Sequence, residues 1–393
     1  MMLVYPGIPR FRSMARDFHD LNVAQYWGFF RAQDLRKNFG RLLMIDVDFG
    51  RKCSLRCPSC FRKHNPVDDE RYADLTYSEL LSTIMDAQDI GLREVKICGA
   101  GEPLENDLLM QFAEDLTERD IGLSVFTKGH VFGDDEWVAK LYGRYGIFDG
   151  KTLCKRFFQL KTSFLVSFQS ANPRIQDEIV GGLVGYTAKR NRGLELLAEA
   201  DFNKSSPTRL AICANPIIRP NFDGLFDIYV YARERNILPV NAALMVSGKQ
   251  IDDCFLYNND VSDEEKEALF LQIYEYNLAH GFSDIEQLQQ EGISCMPGIH
   301  PCNQIAAGLY LTSNGNVIKC PGDFGRPLGN VHEQNIKEIW ANHYNSWALF
   351  RKFNCWCPFK DSVTLPWGLH GRVLSNLGIK NHSGIRNQLL GGP

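Results

Sequence analysis

Leu42-Leu-Met-Ile-Asp-Val47 and then Cys53-Ser-Leu-Arg-Cys57-Pro-Ser-Cys60 decide how this chain is read. The first stretch is short and apolar, the pattern of a buried strand. The second is C-x3-C-x2-C on the loop that follows. Three thiolates on one tight loop can take three corners of a [4Fe–4S] cube, leaving the fourth iron open to a non-protein group. The competing assignment is zinc, which takes four N/S ligands. His64 is the nearest candidate for a fourth.

Outward from that loop the chain alternates strand-like and helix-like segments. Thr76-Tyr77-Ser78-Glu79 is a capping box that opens a helix to about Ile90. Strands are expected at Glu94–Cys98, Leu123–Thr127, Phe164–Phe168, Leu210–Ala214 and within Ile237–Val246. Helices are expected at 107–120, 135–145, 173–180, 188–200 and 222–235. Six such alternations predict an α/β fold with a parallel sheet, a partial (β/α)6 TIM-type barrel. A last helix runs from Ser262 to about His280, after which short strands, turns and cysteines take over. The expected organisation is an N-terminal extension over 1–40, a barrel over 41–285, a small cysteine-rich hairpin and helix domain over 286–360, and a tail over 361–393 that is loosely ordered. The aromatic patch Tyr26, Trp27, Phe29 and Phe30 is expected to pack the extension on the barrel.

The bulk numbers agree with a globular protein of 393 residues, 44% hydrophobic and 23% charged. A net charge of −4 argues against nucleic acid or an anionic membrane as a bulk electrostatic partner. There is neither a signal-like start nor a run of the ~20 apolar residues that a membrane helix needs, so a cytoplasmic location is expected. Twelve cysteines in a reducing compartment point to metal rather than disulfides. Eight of them fall in two groups, 53–60 and 295–357.

Three further segments accompany the first group: Gly99-Ala100-Gly101-Glu102-Pro103, Thr127-Lys128-Gly129 and Val166-Ser167-Phe168-Gln169-Ser170. With the cysteine triplet they resemble the radical S-adenosylmethionine (SAM) enzymes over roughly residues 42–250. The five-residue segment is similar to that family's G-G-E-P motif, with Ala100 for one glycine. Lys128 stands where the family often has Asn, and Gln169 where it often has an acid. The aromatic residue usual before the third cysteine is absent, Ser59 standing there and Phe61 one place beyond Cys60. The resemblance implies that Cys53, Cys57 and Cys60 hold the catalytic cluster. It also implies that Gly99, Ala100, Gly101, Glu102, Thr127, Ser167 and Gln169 contact SAM. Read without the resemblance, these segments are ordinary polar turns at strand ends.

In the second group, Gly308 to Cys320 reads as a hairpin around Asn314-Gly315 that brings Cys302 and Cys320 together. Leu328-Gly-Asn-Val331 and Ile336-Lys-Glu-Ile-Trp340 follow, then Cys355-Trp-Cys357. This arrangement resembles the SPASM and twitch auxiliary-cluster modules. With no longer cysteine run after Cys357, one auxiliary [4Fe–4S] cluster of the twitch type is expected. Cys302 and Cys320 rank first as ligands, Cys355 and Cys357 next, and Cys295 competes for a place; a zinc knuckle uses the same donors. Cys98, Cys154, Cys213 and Cys254 stand alone. Core packing is expected for Cys213, and a hydrogen-atom donor role is open for Cys254.

The resemblance implies reductive SAM cleavage to a 5′-deoxyadenosyl radical and hydrogen abstraction from a substrate. An auxiliary cluster suits a net oxidation, so a dehydrogenase acting on an alcohol carbon of an amino sugar or cyclitol is expected. Peptide modification, sugar epimerisation and a non-catalytic electron carrier are the alternatives. A flavodoxin or ferredoxin would supply the electron. Arg219, Asn215 and Lys128 are candidate proton acceptors at the barrel mouth.

Overall fold

The computed structural model describes residues 3–11, 27–62, 71–323, 325–346, 348–380 and 388–389. Tyr26 and His64 lie outside them.

Six parallel strands form an incomplete (β/α)6 barrel: β1 (Met44–Val47), β2 (Glu94–Ile97), β3 (Gly122–Thr127), β4 (Ser163–Ser167), β5 (Leu210–Ala214) and β6 (Leu238–Asn241). They pair in sequence order. Every residue of β1, β2, β5 and β6 is buried, as expected of parallel strands covered on both faces. Alternate residues face opposite ways. Ile45, Val47, Val95, Ile97, Val125, Phe164, Val166 and Ile212 join one large core with the outer helices. Leu165, Ala211, Cys213 and Val240 join a separate cluster with Trp27 and Phe29.

The C-terminal hairpin does not stand apart from the barrel. Strand β7 (Gly308–Leu311) pairs in parallel with β1, Met44 opposite Gly308 and Val47 opposite Leu311. Strands β8 (Asn316–Ile318) and β9 (Gly329–Asn330) follow antiparallel, so one nine-stranded sheet crosses the boundary expected near residue 285. Gly315 takes φ +82° at the Asn314-Gly315 turn, a conformation that favours glycine. The helix Ile336–Ser346 seats Ile339 and Trp340 in the main core.

Capping boxes at Thr76 and Ser262 start helices Tyr77–Gln88 and Asp263–His280 where expected. Helices Gly150–Gln159 and Ile285–Glu291 were not foreseen. The tail is a correction to the sequence expectation. Residues 369–376 form a helix whose Leu369, Val373 and Leu374 pack against Phe270, Tyr274 and Leu288. Apolar residues four apart, as Leu369 and Val373 are, share one helix face, and here that face with Leu374 beside it outweighs the polar composition around it. In the N-terminal extension, Val4 donates its N–H to the Ala171 carbonyl at 2.8 Å, and Tyr231 donates to the Pro6 carbonyl at 2.8 Å.

Candidate functional site

The register aligns the C-terminal ends of β1 to β6, so the loops after them open on one side. Cys53, Cys57 and Cys60 follow β1, Gly99 to Glu102 follow β2, Lys128 follows β3 and Asn215 follows β5. These residues, except Ala100, line one cavity of about 240 Å³, as do Thr127 and Ser167 at the ends of β3 and β4.

The loop after β2 holds the cysteine loop on both sides of Cys53. Glu102 donates its N–H to the Lys52 carbonyl at 2.8 Å. The Glu105 carboxylate accepts from the Ser54 N–H at 2.9 Å and the Ser54 hydroxyl at 2.6 Å. Burial pushes Glu105 upward, but His130 and Ser54 outweigh it and leave the carboxyl below its ordinary range. Glu102 is itself buried and accepts from the Thr127 hydroxyl and from the Lys128 N–H at 2.8 Å. Burial raises its pKa despite these donors and His130. Glu102 and Thr127 thus hold the second and third loops together.

A buried ion pair anchors the far end of the cysteine loop. Arg62 meets Asp48 through both carboxylate oxygens, at 3.2 and 2.6 Å. Asp48 also accepts from the Ala100 N–H at 2.5 Å and from the Tyr310 hydroxyl on β7. A buried charge is tolerated when it is paired and hydrogen-bonded in this way. Gly99 is required by the same network: a Cβ there would lie 1.9 Å from Asp48 Oδ1 and 2.2 Å from the Tyr310 oxygen. Gly99→Ala is therefore expected to destabilise the protein by about 1–3 kcal/mol, the usual range for overpacking. Denaturant unfolding under anaerobic conditions would read this, and an unchanged midpoint would refute it.

Four thiols of the second cysteine group belong to the same lining. Cys295, Cys302, Cys320 and Cys357 border the same cavity. The Cys295 and Cys357 thiols are close enough to interact, and Cys295, ahead of Lys360 and backbone donors, lowers the Cys357 thiol. The same contact and burial push Cys295 upward. Cys302 and Cys320 lie within electrostatic reach of Cys357 and of each other. Cys355 is not part of the lining; it sits against the turn at Gly292. Asn303 and Asn354, both fully buried, tie the Cys302 segment to the Cys355 segment: Asn354 donates its N–H to Asn303 Oδ1 at 2.7 Å.

Among the described residues, no group of three or more His, Cys, Asp or Glu side chains is gathered tightly enough to hold a single metal ion. The thiols are instead spread around a wide cavity, an arrangement whose donor type fits multi-iron clusters held by cysteine.

Between the two groups lies a buried polar trio. Lys96 Nζ is 2.9 Å from Asp46 Oδ1, and Gln304 donates to Asp46 Oδ2 at 2.6 Å while accepting from Lys96 at 3.1 Å. Burial lifts Asp46 to about 6 against the pull of Lys96 and Gln304. Lys96 and Gln304 line the cavity; nothing in the spacing of the sequence singled them out.

The remaining expected residues are sorted as follows. Gln169 is held by the Gln176 amide at 2.9 Å and donates to the Asn215 carbonyl at 3.1 Å, and it does not border the cavity. Ser59, Phe61, Lys128 and Asn215 do border it. Arg219 pairs with Glu265 at the surface, away from the lining. Cys254 is exposed in a separate shallow hollow with Pro58 and Lys249. Cys98 and Cys213 are buried and border the cavity, while Cys154 lies in the core.

The SPASM iron–sulfur cluster-binding domain family matches residues 302–358. The chain is 23% identical over 334 residues to the AdoMet-dependent heme synthase of Methanosarcina barkeri, covering 80% of this chain and 85% of that one. It is 20% identical over 323 residues to the tungsten-containing aldehyde ferredoxin oxidoreductase cofactor-modifying protein of Pyrococcus furiosus, covering 76% and 81%. Among solved structures, anSMEcpe with bound AdoMet superposes with TM-score 0.54 at 14% identity, covering 85% and 91% of the two chains. SuiB of Streptococcus suis bound to its precursor peptide SuiA gives 0.51 at 16% identity; the match spans 78% of this chain and 66% of SuiB. These likenesses agree with the partial barrel and its C-terminal module. The matched module is an iron–sulfur cluster-binding domain, and the likeness to AdoMet-dependent and AdoMet-bound proteins is in keeping with a catalytic [4Fe–4S] cluster and SAM in the barrel. No helix among the described residues is long and apolar enough to cross a membrane. With a partial barrel and an iron–sulfur cluster-binding module on one sheet, the chain has the architecture of the radical SAM enzymes that carry a C-terminal SPASM-type module.

Proposed function

We propose that this enzyme oxidises a carbon of a small-molecule substrate held between its two clusters. The observation that carries the reading is the shared cavity, bordered by Cys53, Cys57 and Cys60 and also by Cys295, Cys302, Cys320 and Cys357. We assign the first three to the catalytic cluster and the last four to one auxiliary cluster, with Cys355 outside the set. The barrel is taken as 41–285 and the module as 286–360. When bound, the catalytic cluster with SAM supplies a radical that removes a hydrogen atom, and the auxiliary cluster supplies a nearby acceptor for the remaining electron.

The chain's own residues set the rest. Gly99, Gly101, Thr127 and Ser167 offer small or polar contacts for SAM beside the catalytic thiols, with Lys128 in electrostatic reach of Cys57 and Cys60. Phe61 offers an aromatic face just past Cys60. Trp27, Phe29, Phe126, Leu165, Val240 and Met296 give the cavity a largely apolar wall that excludes water. That wall favours a substrate with an apolar or planar body over a bare cyclitol or amino sugar. The heme synthase and the cofactor-modifying protein bear names for work on cofactors, in keeping with such a substrate. The buried Asp46–Lys96–Gln304 trio is the polar group placed to orient it and to take its proton.

The test is anaerobic turnover with SAM, a reductant and candidate substrates carrying deuterium at the oxidised carbon. Deuterium should enter 5′-deoxyadenosine, and product should lose two hydrogens. Transfer without oxidation would replace this reading by epimerisation. Reconstituted protein should also carry about eight iron per chain, the content of two four-iron clusters. Four iron with zinc in the remainder would overturn the auxiliary-cluster assignment.

A further inference from the structure

Lys360 is a buried cation that none of the roles above uses. It stands three residues after Cys357, is 3% exposed, and borders the central cavity together with Cys295, Cys302, Cys320 and Cys357. Its ammonium donates to the Ala243 carbonyl at 2.8 Å, on the segment that follows β6. The loop around it is fixed from both sides. The Cys357 carbonyl accepts from the Asp361 N–H at 3.1 Å, and the Lys360 carbonyl accepts from the N–H groups of Val363, Thr364 and Leu365 at 3.0 Å each. The Thr364 hydroxyl then donates to the Leu244 carbonyl at 2.8 Å.

The other charges on this side of the cavity are matched. Lys96 pairs with Asp46 at 2.9 Å, and Lys319 pairs with Asp323 at 3.1 Å. Asp361, next to Lys360 in the chain, meets His370 at 3.3 Å. Lys360 forms no ion pair among the described residues. A buried charge is costly unless an opposite charge answers it, and one carbonyl is a weak answer for an ammonium. The groups in its reach that can carry negative charge are thiols, since its charge pulls on both Cys295 and Cys357.

We infer that Lys360 sets the reduction potential of the auxiliary cluster, its ammonium being the fixed counter-charge that poises that cluster to take the substrate's electron. The inference rests on the assignment of Cys295, Cys302, Cys320 and Cys357 to that cluster. A four-iron cluster on four thiolates is anionic, and more so when reduced, so a cation held beside it favours the reduced form. Burial strengthens the effect, because little water lies between the charges to screen them. The substrate radical left by hydrogen abstraction loses one electron, which reduces the auxiliary cluster by one, and one proton, which passes to the Asp46–Lys96–Gln304 trio. Lys360 is a positioning residue in this scheme: it acts through the cluster and transfers nothing itself.

The test reads the auxiliary cluster alone. Full-length protein with Cys53, Cys57 and Cys60 replaced by Ala is reconstituted with iron and sulfide, and its reduction is followed by paramagnetic resonance against an applied potential. The same protein is compared with Lys360 intact, as Lys360→Met and as Lys360→Arg. Lys360→Met removes the charge and keeps the apolar stem. Its cluster should be about tenfold harder to reduce, a downward shift of about 59 mV for one electron. Lys360→Arg keeps the charge and should stay near the parent. A merely structural role would lower the melting temperature of Lys360→Met and leave its potential in place, and an unchanged potential overturns the proposal. An equal downward shift in Lys360→Arg overturns it too, because the Ala243 bond rather than the charge would then be responsible. If Lys360→Met loses its cluster, Lys360→Gln takes its place and must show the same downward shift; loss of the cluster there as well overturns the proposal. A parent protein that binds far fewer than about four iron would instead strike the four-cysteine assignment beneath it.

Discussion

Replacing Cys53, Cys57 and Cys60 together by Ala will reduce 5′-deoxyadenosine formation to the level of protein-free controls. No other group of thiols stands beside the loops that we assign to SAM. Cys98 and Cys213 border the cavity but are buried, and burial raises both thiols, Cys213 to about 12, so neither offers a ready thiolate in place of the three. The fold is expected to persist. Cys53 is exposed and Cys57 and Cys60 half-buried, so their truncation opens no core cavity. The loop keeps its Asp48–Arg62 pair and the Glu105–Ser54 bonds, which involve none of the three sulfurs. Iron should fall from about eight to about four per chain, and the auxiliary signal should remain in the absorption and paramagnetic resonance spectra. Continued 5′-deoxyadenosine production by a folded variant would sink the catalytic-cluster assignment.

The parts of this molecule carried by local patterns were legible in its sequence. Capping boxes at Thr76 and Ser262, the apolar strands and the Asn314-Gly315 turn each rest on neighbours in the chain, and each forms as read. What was not legible depends on pairs far apart. Arg62 and Tyr310 meet on Asp48, and Lys96 and Gln304 meet on Asp46, with up to 262 residues between partners. No periodicity marks such residues; a lone buried charge in a strand is the faint signal that Asp46, Asp48 and Lys96 gave. The tail was misjudged for a related reason. Its Gly and Asn content outweighed the spacing of Leu369, Val373 and Leu374, which becomes meaningful only against the Phe270 and Tyr274 surface. Gln169 was assigned by resemblance to a motif position, but its amide is taken up by Gln176 and the Asn215 carbonyl, and it does not border the cavity.

Among the five C-terminal cysteines, Cys295→Ala will lose the auxiliary cluster and Cys355→Ala will keep it. Sequence rank favoured the opposite order, because Cys355 belongs to a tidy Cys-x-Cys pair and Cys295 stands seven residues before Cys302. The geometry reverses that rank. Cys295 is only 3% exposed, interacts electrostatically with Cys357 and borders the cavity with Cys302, Cys320 and Cys357. Alternation explains why Cys355 does not: in an extended segment, residues two apart point the same way only if the chain stays regular, and here it turns. The chain bends at Cys355 and Trp356, and Cys355 is left packed against Gly292. Iron should therefore fall from about eight to about four per chain in Cys295→Ala and stay near eight in Cys355→Ala. Because metal–thiolate bonds help hold small modules together, each variant needs a melting curve beside its iron content. Cys295→Ser, nearly isosteric, serves where the alanine variant fails to fold. In a folded Cys295 variant, deuterium should still pass from labelled substrate into 5′-deoxyadenosine, while oxidised product per 5′-deoxyadenosine falls steeply. If Cys355→Ala loses the cluster and Cys295→Ala retains it, the four-cysteine assignment is wrong. If the cluster is lost but the product ratio stays at the wild-type value, the auxiliary cluster is not the electron acceptor.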